Sequence, residues 1–282
     1  MRVRNAVAFR VHRECRHGML QRMSVFQALL LGILQGATEF IPVSSSGHLV
    51  LAQSHLGLTI APQDLQGFDI LLHAATALAL LMIFWRRWWA LMLSPLRCDT
   101  ENKRLLIAII IASVPAGIAG MFLEDFVSEQ LRSVQTVAAA MLVTAFILLL
   151  TRCARGNRTV HQTGMVRFLL IGCAQAVAIV PGISRSGCTI ATGQFVGMHR
   201  SEALDFSFLL AVPIIIGALT LTVFHAWQDT LILPQPMVAL TGFIASFVSS
   251  ILAIIFLRSF VARHSLAWFA VYLIPLAVLL LV

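Results

Sequence analysis

Two long apolar stretches of this chain, near residues 24–55 and 166–199, are each interrupted at the centre by polar, turn-forming residues. The first break reads Pro42-Val43-Ser44-Ser45-Ser46-Gly47-His48 and the second Pro181-Gly182-Ile183-Ser184-Arg185-Ser186-Gly187. Displacing the chain by 140 residues superposes them without a gap, pairing Leu29/Leu169, Leu30/Leu170, Gly32/Gly172, Gln35/Gln175, Ser44/Ser184, Ser46/Ser186, Gly47/Gly187 and Gly57/Gly197. Matched leucines arise readily in apolar sequence. Matched Gly, Gln and Ser-x-Ser-Gly positions do not, so the chain reads as a duplicated unit.

The solvent of that unit follows from composition. Only 11% of the 282 residues are charged, against about a quarter in soluble domains, while 59% are hydrophobic and the mean hydropathy is +0.90. Disordered, collagen-like and disulfide-scaffold classes are excluded, and a polytopic membrane protein remains. A membrane span needs about 20 apolar residues. Six stretches are expected to cross, near 68–85, 104–122, 134–151, 206–225, 236–257 and 266–282. The two broken stretches are expected to be re-entrant helical hairpins, because non-helical backbone at membrane depth needs protein or a water-filled cavity for its hydrogen bonds.

Each unit is then one hairpin followed by three spans, repeat 1 about 24–151 and repeat 2 about 166–282. Three is odd, so the second hairpin enters from the opposite face. The expected fold class is all-α, with an inverted-topology repeat whose polar site lies between the two breaks. Residues 23–282 form one membrane domain in this reading.

Charge distribution sets orientation and removes a nucleic-acid reading. One side receives twelve Lys and Arg, from Arg86 to Arg263, and the other Arg132 alone among acids such as Asp64, Glu124, Asp125, Glu129 and Asp229. The first side is therefore cytoplasmic. The net charge of +8 is concentrated in residues 1–22, with six arginines against Glu14. This topology places that basic arm outside, against the rule, so it is expected to be an over-long start or to follow a differently threaded first hairpin. The Trp85, Trp88, Trp89 group beside Arg86 and Arg87 suits an interfacial anchor. The five cysteines show no metal or redox spacing, and Gly117 and Gly120 with Ala116 and Ala119 suggest close helix packing.

Ionisable groups inside apolar segments are costly, roughly 2.5–3.5 kcal/mol each, and here they are Glu39, His48, Asp69, His73, Arg185 and Asp205. Asp69, His73 and Asp205 lie near span ends, where interfacial solvation accounts for them. Gln35 and Glu39 are four apart and share a helix face. The break after them adds Ser44, Ser45, Ser46, Gly47 and His48, which together offer a nucleophile, an acid/base and an acceptor for a divalent cation. Arg185 stands at the repeat position of Ser45, among Ser184, Ser186 and Thr189, and suits phosphate oxygens. A purely structural Arg185–Glu39 pair is the bland alternative.

The runs LLLGILQGATEFIPVSSSGH, PGISRSGCT and DFSFLLAVP resemble the bacterial undecaprenyl-diphosphate phosphatase family of the bacitracin-resistance type over residues 24–282. The family's (E/Q)xxxE motif fits Gln35 to Glu39, and its PGxSRSxxT motif fits Pro181 to Thr189. Gln at the first position leaves Glu39 as the single carboxylate. The resemblance implies hydrolysis of the terminal phosphate of a C55 polyprenyl diphosphate in the bacterial inner membrane, with Mg²⁺ or Ca²⁺ and an outward-facing site. It implies Ser45 as nucleophile, His48 as its acid/base partner, Glu39 as cation ligand or proton acceptor, and Arg185 as neutraliser of phosphoryl charge. Gln35, Ser44, Ser46, Ser184, Ser186 and Thr189 would bind the diphosphate. Lipid phosphatases of the phosphatidic-acid type place a His six residues after the Arg, where this chain has Ala191. A transporter or scramblase is the alternative from another class, since inverted repeats with broken helices mark transporters.

Overall fold

The computed structural model describes residues 23–56, 62–227 and 234–281, all of them helix or connecting turn apart from one isolated bridge between Arg158 and Met198. The basic arm 1–22, Gly57 and Asp229 lie outside these residues. Eleven α-helices follow in order among the described residues: α1 Val25–Phe40, α2 Ser45–His55, α3 Pro62–Ile83, α4 Trp85–Leu93, α5 Thr100–Gln130, α6 Val134–Leu150, α7 Met165–Val177, α8 Arg185–Phe195, α9 Arg200–Trp227, α10 Pro236–Arg263 and α11 Ala270–Leu281.

Four of the expected spans correspond to helices long and apolar enough to cross a bilayer, and a fifth does if the bent α3–α4 pair is one span. The helices extend beyond the hydropathy boundaries, as α5 does, because Asp99 caps its start by accepting from the Asn102 amide at 3.0 Å. Capping and propensity, not apolarity, decide where a helix stops. After Phe84 the chain turns by 79°, and α4 exposes Trp85 and Trp89 while burying Leu91. The last apolar stretch is shorter than a full span and starts as a 3₁₀ turn, Leu266–Phe269.

Helix packing follows the duplication, with partners exchanged. The first helix of each broken stretch packs on a long helix of the other repeat, α1 on α10 and α7 on α5. Glycine permits both approaches. A Cβ at Gly32 would strike the backbone of Gly242, and one at Gly36 that of Ser246. At the equivalent Gly172 a Cβ would strike Ala112. Small residues let helices approach where lipid offers no hydrophobic drive. Gly117 and Gly120 do not serve this purpose: among the described residues nothing lies within 4 Å of a Cβ built there, because α5 packs through its Ala108 and Ala112 face. The outer surface remains apolar, with Ile110, Ile118, Phe122, Leu252, Ile255 and Leu279 exposed. Such a surface suits hydrocarbon and not water.

Candidate active site

The two broken stretches stop and restart by the same local device. Ser44 precedes α2 and Ser184 precedes α8, and each side-chain oxygen accepts from the amide three residues on, Gly47 at 3.4 Å and Gly187 at 3.0 Å. A Ser N-cap satisfies an amide that the first helical turn leaves free. The residues that begin the new helices are Ser45 and Arg185, so the repeat places a hydroxyl and a guanidinium at equivalent positions.

The two turns are in direct contact. Gly182 donates its N–H to Ser44 Oγ at 3.1 Å, and its carbonyl accepts from Thr144 Oγ1 at 3.0 Å. Thr144 Oγ1 also accepts from the Ser184 amide at 3.0 Å. Gly182 has φ +99°, and an added Cβ would meet the carbonyl of Val137. Ser44 is the one non-glycine residue with positive φ among the described residues, +72°. Backbone in such sparsely populated regions costs on the order of 1–3 kcal/mol and persists where its surroundings over-determine it. Here the turn–turn contact supplies that constraint.

Glu39, at the end of α1, is the hub. Its side chain is 5% exposed and pairs with Arg185 across the turn contact. Ser45 Oγ donates to Glu39 Oε2 at 2.6 Å, and Gln35 Nε2 donates to the same oxygen at 2.9 Å. A carboxylate this buried requires such a set of donors. The structure therefore joins Gln35, Glu39, Ser45 and Arg185 in one cluster. Ser45, Ser46 and Arg185 are partly accessible.

Other expected site residues occupy supporting positions. Ser44, Ser184, Ser186 and Thr189 are at most 3% exposed. Two of them are caps. Ser186 Oγ contacts Ser184 Oγ at 3.2 Å and the Ile41 carbonyl at 3.4 Å, while Thr189 Oγ1 bonds Ser207 Oγ at 2.6 Å and the Arg185 carbonyl at 2.9 Å. These hydroxyls brace the turns and the α8–α9 contact. His48 is 6% exposed, with Nδ1 at 2.8 Å from the Ser44 carbonyl and Nε2 at 2.8 Å from the Tyr272 hydroxyl. The hydrogen-bond partner of Ser45 is thus Glu39, not His48.

Two residues assigned to interfacial solvation belong to the site's surroundings instead. His73 Nδ1 donates to the Asp69 carbonyl at 2.7 Å, and its Nε2 lies 3.5 Å from Glu39 Oε2. Asp69 is 8% exposed and accepts from Gln53 at 2.8 Å and Arg132 at 3.4 Å. The signal was available in principle: one α-helical turn separates Asp69 from His73, so both lie on one side of α3. Asp205 matches the interfacial expectation more closely, with a half-exposed ion pair to Arg258 at 3.3 Å.

For a divalent cation, the described residues bring together no group of three His, Cys, Asp or Glu side chains. Among the described residues, the buried acceptor Gln35 Oε1, next to Glu39, has no hydrogen-bond partner. An amide oxygen and one carboxylate suit a hard cation that completes its shell with water and substrate phosphate oxygens.

The sequence is matched by known proteins. A family model described as bacitracin resistance protein BacA matches residues 28–279. The chain belongs to the BacA family. It is 40% identical to an undecaprenyl-diphosphatase of Rubrobacter xylanophilus over 267 residues, 91% of this chain and 97% of that protein. It is 38% identical to one from Elusimicrobium minutum, covering 92% and 98% of the two chains. A third relative, undecaprenyl-diphosphatase 3 of Bacillus anthracis, is 36% identical and covers 94% and 99%. The BacA match includes both turns and every residue of the Glu39 cluster.

Proposed function

We propose that this protein hydrolyses undecaprenyl diphosphate to undecaprenyl phosphate and inorganic phosphate, returning the lipid carrier to cell-wall synthesis and conferring bacitracin resistance. The observation that carries the reading is the convergence of Ser45, Glu39 and Arg185 from opposed turns. In this mechanism Ser45 Oγ attacks the terminal phosphorus while its proton passes to Glu39 Oε2, which already accepts that hydroxyl. The P–O bond to the bridging oxygen breaks and undecaprenyl phosphate leaves. Water then cleaves the phosphoserine, releasing phosphate and restoring the hydroxyl. Arg185 shares its guanidinium between Glu39 and the equatorial phosphoryl oxygens, where charge is spread in the transition state. In the second step Glu39 returns its proton to the departing Ser45 Oγ, while the proton lost by the attacking water passes to His48 and from it to the released phosphate. Glu39 and Gln35 Oε1 would hold Mg²⁺ or Ca²⁺, which when bound supplies Lewis-acid neutralisation of phosphate charge.

The proposed topology is six spans and two re-entrant hairpins, oriented with the Arg-rich loops in the cytoplasm and the site open to the outer face of the inner membrane. The short first helices support the hairpins. At about 1.5 Å per residue, the 16 residues of α1 and the 13 of α7 reach less than the ~30 Å of a bilayer core. The prenyl chain would lie against the exposed apolar flank.

Expression in a bacitracin-sensitive strain tests the function. The intact chain raises bacitracin tolerance and Ser45→Ala does not; equal tolerance from both would overturn the reading. A transporter or scramblase predicts movement of labelled lipid without phosphate release.

A further inference from the structure

The phosphatase reading uses His48 but leaves its most distant partner unexplained. Tyr272 is the chain's single tyrosine, lies in α11 and meets an imidazole 224 residues earlier in the sequence. The hydroxyl is 2.8 Å from His48 Nε2, and the rings are nearly parallel at 15° with centroids 5.7 Å apart. The other ring nitrogen is committed. Nδ1 lies 2.8 Å from the Ser44 carbonyl, which can only accept, so Nδ1 carries a hydrogen. In the neutral ring Nε2 is then the basic nitrogen, and Tyr272 donates to it. In the charged ring the same hydroxyl accepts from Nε2–H. A phenol can serve both states; a phenyl ring serves neither.

We propose that Tyr272 is a positioning residue for the phosphatase site: the Ser44 carbonyl sets the Nδ1–H tautomer of His48, and Tyr272 holds the ring so that Nε2 exchanges its proton through the phenol hydroxyl. The proposal rests on the phosphatase reading. It assigns the C-terminal helix a part in the reaction: α11 packs on α6, which also carries Thr144 beneath the second turn. The bond fixes the imidazole plane from one side, and the Ser44 cap fixes it from the other. Hydrogen-bond partners that orient a reactive histidine change activity by about 10–100-fold when removed from metal sites, and the same scale is expected for an acid/base histidine whose ring has lost the partner of its exchanging nitrogen.

The test combines kinetics with ¹⁵N-histidine NMR of the full-length protein in detergent. Tyr272→Phe should lower kcat by about 10–100-fold with KM little changed. The His48 signal, assigned by its loss in His48→Gln, should show a single Nδ1–H tautomer in both proteins, with the Nε2 resonance of Tyr272→Phe moved from its parent position by loss of the phenol donor. Parent-like kcat in Tyr272→Phe overturns the proposal. So does a parent spectrum with Nε2–H and a bare Nδ1, which needs no variant to fold. If kcat and KM both move with a lowered Tm and the Nε2 resonance is unchanged, Tyr272 is structural and the proposal fails. A parent that releases no phosphate overturns the phosphatase reading itself, while parent turnover with an indifferent Tyr272→Phe overturns the positioning role alone.

Discussion

Replacing Arg185 separates the two functions that its guanidinium serves. Its side chain is 17% exposed and pairs with a Glu39 side chain that is 5% exposed, so Arg185→Ala leaves a buried carboxylate with only neutral donors and His73. Breaking one half of a buried pair costs about 3–5 kcal/mol. Loss of the charge facing the phosphoryl oxygens adds a rate penalty, on the order of 10³-fold or more. The double variant Arg185→Ala/Glu39→Gln removes the stranded charge and should recover much of the lost stability. It should recover none of the activity. The assays are thermal unfolding in detergent and phosphate release at saturating lipid substrate. Turnover within tenfold of the parent in Arg185→Ala, or restored turnover in the double variant, refutes the assignment of Arg185 to the reacting phosphate.

Further outcomes follow from the same geometry. Gly182→Ala should destabilise the protein by more than the ~1–3 kcal/mol of an unfavourable φ, since its Cβ also meets Val137, and thermal unfolding reads the loss. Chelation of divalent ions should abolish turnover, and Gln35→Ala should raise the Mg²⁺ concentration needed to restore it; turnover indifferent to both would remove Gln35 and Glu39 from cation binding. Reporter fusions at residues 100 and 230 should appear cytoplasmic and external respectively, and the reverse pattern would invert the orientation.

Much of this site can be read from the chain because its key contacts repeat a local pattern. Ser44 and Ser184 recur at one spacing with Gly47 and Gly187, and the structure uses each pair as a cap. The four-residue spacing of Gln35 and Glu39 gives their hydrogen bond directly. The opposition of Glu39 and Arg185 follows from the duplication, since equivalent turns meet at its centre. Contacts between unlike elements leave no such mark. Tyr272 sits in an apolar C-terminal helix with no polar neighbour in sequence, and its partner is fixed only by how α11 lies on α6. His73 and Asp69 look interfacial because hydropathy marks where apolar sequence begins, whereas burial depends on what packs beside it. In the hydroxyl-rich turns Ser44 and Ser184 cap the backbone and Thr189 turns to Ser207, contacts that residue type and spacing alone do not reveal. Gly117 and Gly120 show the converse, small residues facing open space where packing was expected.

The central claim is that a serine hydrogen-bonded to the Arg185-paired Glu39 cleaves a polyprenyl diphosphate. The direct measurement is release of labelled phosphate from undecaprenyl diphosphate, labelled in its terminal group, by the purified full-length protein with Mg²⁺ or Ca²⁺. The account predicts labelled inorganic phosphate and unlabelled undecaprenyl phosphate in equal amounts, with release lost in Ser45→Ala and Arg185→Ala. Intact substrate after prolonged incubation, or undiminished release by both variants, would contradict it.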